Sequence, residues 1–511
     1  MERAPKRIII VGAGIGGLAA GCYAQLCGYR SRIYEMHSTP GGVCTAWQRH
    51  GYTFDGCIHN LAGTTPTSAF HNMWRELGVI PNVAMRGHPE LVRVERPDGE
   101  PLTVYADLDR LQQHLKELAP HDGAVIDELI QAARQFTRID VLGLALAKPF
   151  ERLRALISAA PLFAKYGGTT LEQFAGRFSD QFLRSAFPTL VYDWPQQSML
   201  MLLQFLGRLH IGDLGWPVGG SRAVVQAIAQ HYEQLGGRVS YDSPVRNVLV
   251  EDGRAAGVVL GDGTEHRADI VISNANGHGT IFGMLGGKYT SRAIRSYYGE
   301  PEDRIEMGIH VSLGVARYLS REPHAIVLPL EQPVMIADQL RQRLFVEPFG
   351  FDASLAPAGK SVLKVVMATS FRYWWELHKN PERYAAEKAK IGNAVIDLLA
   401  GRFAGLRRQV ETIDVATPMT TLRFTGNGHG YRMPISRTIR NLVTGRRLSQ
   451  TLPGLANFYM VGQWAGVPGV SSVAAMGRDV VREICRRDQR PFIAEATSRT
   501  SPTGAIRVLA F

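Results

Sequence analysis

The chain opens on a run of β-branched apolar residues, Arg7-Ile8-Ile9-Ile10-Val11, which predicts a buried parallel strand. Gly12-Ala13-Gly14-Ile15-Gly16-Gly17 follows at once, and Leu18 to Leu26 reads as an alanine-rich helix ending near Gly28. Arg32-Ile33-Tyr34 is a second strand, closed by Glu35. Each part of this unit has a physical purpose. Gly12 permits a tight turn, Gly14 lets the backbone approach a pyrophosphate, and Gly17 lets helix and strand pack closely. The helix start offers free N–H groups and partial positive charge to phosphate, and Glu35 stands where a carboxylate accepts from ribose hydroxyls.

Further along, Trp216-Pro217-Val218-Gly219-Gly220-Ser221 precedes a helix through about Leu235, with Ser221 as its expected N-cap. Pro244 to Val250 and Ala256 to Leu260 alternate around an Asp252-Gly253 turn, a hairpin signal. A second turn, Gly261-Asp262-Gly263-Thr264, leads to a returning strand from Ala268 to Ala275. Gly308 to Val315 and Ser361 to Met367 also read as strands. Asn380-Pro381 starts a helix with Ile391, Val395, Leu398 and Leu399 on its apolar face. Near the end, Leu455 to Gly462 is a strand running into a glycine, Gln463 to Val470 a loop, and Ser471 to Arg486 a helix with Val473, Met476, Val480 and Ile484 on one side. No internal repeat is present, and the Ser/Thr/Arg/Ala-rich tail from Pro491 to Phe511 predicts weak order.

Length and composition narrow the classes. A chain of 511 residues exceeds what one core usually holds, so two domains are expected. The net charge of +11 admits nucleic acid or an acidic membrane surface as partner, but no block of like charges supports a nucleic-acid role. Five cysteines, Cys22, Cys27, Cys44, Cys57 and Cys485, form no CxxC pair, which argues against a disulfide framework and a zinc site and for a reducing cytoplasm. His278 and His429 lack neighbours at ligand spacing, so no metal is expected. Met1 to Lys6 leaves no room for a signal peptide before the first strand. Val141 to Ala164 is interrupted by Lys148, Glu151, Arg152 and Arg154 and is no membrane span. Pro149 to Lys165 is a basic amphipathic stretch, either an interfacial helix for an anionic membrane or a core-facing helix with solvated charges.

Three further segments carry a resemblance. Pro40-Gly41-Gly42-Val43 and Gly51-Tyr52-Thr53-Phe54-Asp55-Gly56 follow Glu35, and Thr417-Pro418-Met419-Thr420 precedes Arg423-Phe424-Thr425-Gly426. Together with both ends of the chain, these resemble the branch of the FAD-dependent amine oxidase superfamily that holds phytoene desaturases, carotenoid isomerases and retinol saturases. Val43 stands where that branch usually has an arginine, and Gln463 where it has an acid. The resemblance implies an α/β fold. A Rossmann-type FAD domain, with a central parallel sheet and a β-meander, would be visited three times (1–80, 212–290 and 408–490). An α+β substrate domain would come from 81–211 and 291–407. It implies FAD, held non-covalently since no cysteine lies between Phe458 and Met476. The expected contacts are Gly12, Gly14, Ile15, Gly16, Gly17, Glu35, Met36, Gly41, Gly42, Val43, Val245, Asn274, Gly462, Gln463, Gly469, Val470 and Ser471.

The implied activity is desaturation, saturation or isomerisation of C–C and C=C bonds in a long apolar isoprenoid or lipid, by hydride transfer at flavin N5. A flavin amine oxidase and a non-catalytic flavin- or lipid-binding protein are the alternatives. His59, after the Asp55 segment, is the candidate proton-moving residue; the other reading is a histidine satisfied by backbone groups. Asp55 is expected to order its loop. Cys44 and Cys57 are expected near the flavin as ordinary thiols. The expected setting is cytoplasmic, with peripheral attachment to the inner face of a membrane open to such a chain; oligomeric state is left open.

Overall fold

The computed structural model describes residues 4–141, 143, 146, 149–299, 306–428, 449–465 and 469–495. A five-stranded sheet runs in the order Arg238–Ser240, Arg30–Tyr34, Arg7–Val11, Ile270–Ser273, Phe458–Met460, and every pairing is parallel. The β-branched runs form these strands because both faces are covered. Helices Ile15–Leu26, Gly220–Gln234 and Val470–Arg487 pack together on one side. The Ile15–Leu26 and Val470–Arg487 helices approach so closely that a Cβ at Gly477 would lie 2.5 Å from the Gly16 carbonyl oxygen. The meander Val245–Glu251, Arg254–Leu260, Glu265–Arg267 covers the other side through Val248 and Val258, against Ile9, Val11 and Val271. The first strand is flanked by one strand that follows it directly and one from far along the chain. The crevice beyond the carboxyl ends of such strands is where this sheet type takes ligands.

A second sheet has seven strands: Val410–Ala416, Glu306–Val315, Ser361–Ser370, Gln339–Pro348, Ile326–Ile336, Glu90–Val94 and Leu102–Tyr105. All its pairings are antiparallel except that of Ile326–Ile336 with Glu90–Val94. Helix Pro381–Arg402 packs on it through Ile391, Val395 and Leu399, starting at an Asn380 side chain that accepts from the Arg383 N–H at 3.0 Å. A helical layer built between Leu108 and His210 closes another core against Val327 and Phe345.

Several sequence readings change in detail. Ser221 lies inside helix Gly220–Gln234, whose N-cap is Gly219 at φ +89°. Asp55, from a distant strand, caps the helix instead. It accepts from Ser221 N at 2.6 Å and Ser221 Oγ at 2.8 Å, and from Cys57 N and Ile58 N of its own loop at 2.9 and 3.1 Å. The strand Val410–Ala416 belongs to the seven-stranded sheet, paired with Glu306–Val315, so the chain leaves that sheet after Ala416 and not at 408. Strands Ile326–Ile336 and Gln339–Pro348 were not picked out from pattern, because charged and proline positions interrupt their alternation. Part of the tail is packed: Phe492 meets Tyr23, ring centroids 5.6 Å apart, with Arg478 between them and Glu76. His429, Gly466 to Pro468 and the tail from 496 lie outside the described residues. Among the described residues no helix is long and apolar enough to cross a membrane.

Candidate functional site

One cavity of about 1280 Å³ joins the carboxyl ends of the parallel strands to the seven-stranded sheet and the helical layer. At the sheet end its wall includes Gly12, Gly14, Ile15, Glu35, Met36, Gly41, Gly42 and Val43, with Val245 and Asn274 from the middle of the chain. Gly462, Gln463, Gly469, Val470 and Ser471 arrive from the far end. Gly16 and Gly17 stand behind this wall. A Cβ on Gly17 would lie 2.2 Å from the Gly12 carbonyl oxygen, and one on Gly16 would meet Asn274 Oδ1 at 2.7 Å. These two glycines are therefore required by packing.

Gly12 turns the chain at φ +92° and donates to the Tyr34 carbonyl at 2.8 Å, which ties the turn to the second strand. Glu35 is buried, and its two oxygens accept from Ala13 N at 2.7 Å and His37 N at 2.9 Å. Burial pushes its pKa up while these backbone donors pull it down. Glu35 also lines the cavity, and a carboxylate oxygen has room to accept more than the one bond each makes here. Helix Val470–Arg487 begins at Gly469 with no side-chain cap, and Gly469, Val470 and Ser471 line the same cavity. Gln463 Nε2 and Trp464 Nε1 are sealed from water with no hydrogen-bond partner among the described residues. A flat polar ring system with hydroxylated linker is the kind of group this donor and acceptor set fits.

The other end is apolar. Phe136, Leu156, Phe163, Leu200, Met201, Phe205, Met307, Phe345 and Val366 line it. Phe424, Thr425 and Asn427, from the Thr417–Gly426 stretch, line the cavity beside them, where Pro418–Thr425 forms a helix. Cys44 and Cys57 both line it as free thiols; the neighbouring Cys57 and burial push the Cys44 thiol well up.

His59 lies on the wall between the two ends. Its Nδ1 contacts Glu347 Oε1 at 2.5 Å, so its partner is a carboxylate and not the backbone. Lys364 Nζ pairs with Glu347 Oε2 at 2.8 Å and donates to the Asp55 carbonyl at 3.2 Å. Glu347 and Lys364 are 4% and 1% exposed, so the pair is shut away from solvent. The antiparallel register of Gln339–Pro348 with Ser361–Ser370 places them directly opposite. Burial alone would raise the Glu347 pKa, but the His59 and Lys364 charges hold it well below the usual carboxylate range. Beside them, burial and the Lys364 charge push His310 down to about 3, which keeps it neutral. The His59 ring also lies tilted against the Tyr192 ring, with centroids 4.4 Å apart. Sequence reasoning reached His59 but missed Glu347 and Lys364, whose meaning lies in their register across two strands. Among the described residues no group of three or more His, Cys, Asp and Glu could hold a metal ion.

Residues 10–77 match the model of an NAD(P)-binding Rossmann-like domain. Over 487 residues the chain is 24% identical to the chloroplastic prolycopene isomerase of Arabidopsis thaliana, an alignment that covers 91% of this chain and 80% of that protein. Over 502 residues it is 26% identical to the lycopene-forming phytoene desaturase of Pseudescherichia vulneris, covering 92% and 97%. Among solved structures, an oxidoreductase from Methanosarcina mazei superposes with a TM-score of 0.60 at 18% identity, covering 93% of this chain and 100% of that one.

Proposed function

We propose that this chain, similar over about nine-tenths of its length to a carotenoid desaturase and a carotenoid isomerase, is an FAD-dependent oxidoreductase of C–C and C=C bonds in a long apolar isoprenoid of carotenoid type. The observation that carries the reading is a single cavity with a dinucleotide fingerprint at one end and an apolar wall at the other. The wall at the fingerprint end suits non-covalent FAD: Glu35 for the adenosine ribose, the Gly12–Gly14 turn for the pyrophosphate, and Gln463 with the Val470 helix start for the ribityl and flavin end. FAD, when bound, supplies two-electron hydride exchange with a substrate carbon. The apolar wall aligns the chain and excludes water. In a desaturation one hydrogen leaves as hydride and the other as a proton, and His59 Nε2 takes that proton while Glu347 holds Nδ1. In a saturation the same nitrogen returns it. The test is anaerobic mixing of the purified protein with phytoene, lycopene and a panel of amines. Loss of the flavin absorbance band with a polyene supports the reading, loss with an amine supports the amine oxidase, and absence of any flavin band after added FAD refutes both.

The setting we infer is the face of an anionic membrane. Helix Pro149–Tyr166 exposes Phe150 (76%), Leu153 (57%) and Ile157 (65%) along one stripe, while its Leu156, Ala160 and Phe163 line the cavity. An apolar stripe turned to solvent opposes the core-facing reading and suits insertion at the acyl boundary, with Arg154 exposed nearby to meet lipid phosphates. A substrate dissolved in lipid would then enter beside the helix. Co-sedimentation with phosphatidylglycerol vesicles should lose most of its binding in Phe150→Ser/Ile157→Ser; wild-type protein left in the supernatant refutes the idea.

A further inference from the structure

The apolar end of the cavity contains a polar anomaly. Gln197 and Gln204 both line the cavity, and each is only 6% exposed. Gln197 leads into helix Met199–His210, whose Leu200, Met201 and Phe205 share that wall with Gln204. Gln197 Oε1 and Gln204 Nε2 are sealed from water and find no hydrogen-bond partner among the described residues. Buried amides are nearly always satisfied, and a hydrocarbon ligand would leave these as they are. The same wall holds an ion pair, Arg343 Nε to Asp193 Oδ1 at 2.6 Å. Asp193 and its neighbour Tyr192 both sit at positive φ, +53° and +55°. Two consecutive non-glycine residues in that region are costly, and the turn they make brings Asp193 to Arg343 and the Tyr192 ring to His59. A wall built only for hydrocarbon would need none of this.

We propose that the substrate is an apolar chain bearing oxygen, as hydroxyl or carbonyl, which the Gln197 and Gln204 amides receive by turning their unpaired atoms from the wall into the cavity. This rests on the reading of the cavity as a polyene site and narrows it. An amide supplies both a donor and an acceptor, so it takes either group, whereas the apolar remainder of the wall takes the chain. Discrimination follows from the same physics: a site with buried polar groups penalises the analogue that leaves them unpaired.

The test is equilibrium binding and flavin reduction with the FAD-loaded protein, using lycopene and its terminal-hydroxyl derivative. The hydroxyl derivative should bind about ten- to a hundredfold more tightly. Gln204→Leu or Gln197→Leu should cut that preference about tenfold or more by weakening the hydroxyl derivative and strengthening lycopene. Variant folding is checked by thermal melting, and Gln197→Glu, which keeps the acceptor oxygen, should retain preference for the hydroxyl derivative. Equal affinity for the two polyenes, or a preference untouched by both leucine variants, overturns the proposal and leaves the polyene reading standing. Failure of both polyenes to bind overturns both readings. A prenylated quinone that competes for the glutamines while lycopene still reduces the flavin would place the oxygen on an electron acceptor and overturn the substrate assignment.

Discussion

Removing the carboxylate of Glu347 should cost far more than removing it together with its cation. Glu347→Gln leaves Lys364, 1% exposed, with one carbonyl partner at 3.2 Å and the Phe349 ring at 5.1 Å. An uncompensated buried charge of this kind costs about 3–5 kcal/mol, more than a hundredfold in the unfolding equilibrium. Lys364→Met should cost less, because Glu347 keeps His59 Nδ1 as a partner at 2.5 Å. The double variant Glu347→Leu/Lys364→Met replaces the pair with apolar groups of similar volume and should return to within about 1 kcal/mol of the parent. Urea unfolding followed by tryptophan fluorescence gives the four free energies of this cycle, with an expected coupling of at least about 2 kcal/mol. The stable double variant should still fail in catalysis, since His59 has lost the group that holds Nδ1, and flavin reduction by substrate should slow by about 10²–10⁴. Additive single effects would show that the pair is not buried as described. An unimpaired double variant would remove His59 from proton transfer.

Three further outcomes follow from the geometry. Glu35→Ala removes the acceptor of the Ala13 and His37 N–H groups and should lower FAD affinity by about ten- to a hundredfold, read as flavin retained after gel filtration. Gly17→Ala would push a Cβ to 2.2 Å from a backbone oxygen and should abolish FAD retention, with a lowered melting temperature; normal retention would contradict the packing. Stability should also fall in acid. His88 is pushed down to about 4 by burial and by the charge of Arg86, and His310 to about 3. Depressed histidine values mean that the unfolded chain takes protons the folded one refuses. Stability is therefore complete above about pH 6.5 and lost on the way down, by about 2 kcal/mol per histidine at about pH 5. His88→Phe, which keeps a ring against His324, should remove about one proton from that slope in a melting-temperature series.

The dinucleotide end of the site was legible in the sequence because its signals are local. A β-branched strand, glycines at fixed offsets and an acid after the next strand all lie between Arg7 and Glu35, and steric demands such as that on Gly17 are met within one turn of chain. The glycine ahead of the last helix was legible for the same reason.

The remainder depended on which strands become neighbours. Ser221 has the residue type of a cap, yet Asp55 does the capping from a separate strand, which no local pattern announces. Glu347 and Lys364 read as ordinary surface charges until an antiparallel register sets them face to face and His59, from the other end of the chain, closes on them. Gln197 and Gln204 would be unremarkable polar positions before and within a solvated helix; only burial against a cavity makes their unpaired amides informative. Local sterics and hydrogen-bond geometry act over a few residues, so the sequence by itself determined the cofactor turn and its helices. Charge pairing and desolvation act through space, so the tertiary structure alone decided which polar groups line the cavity.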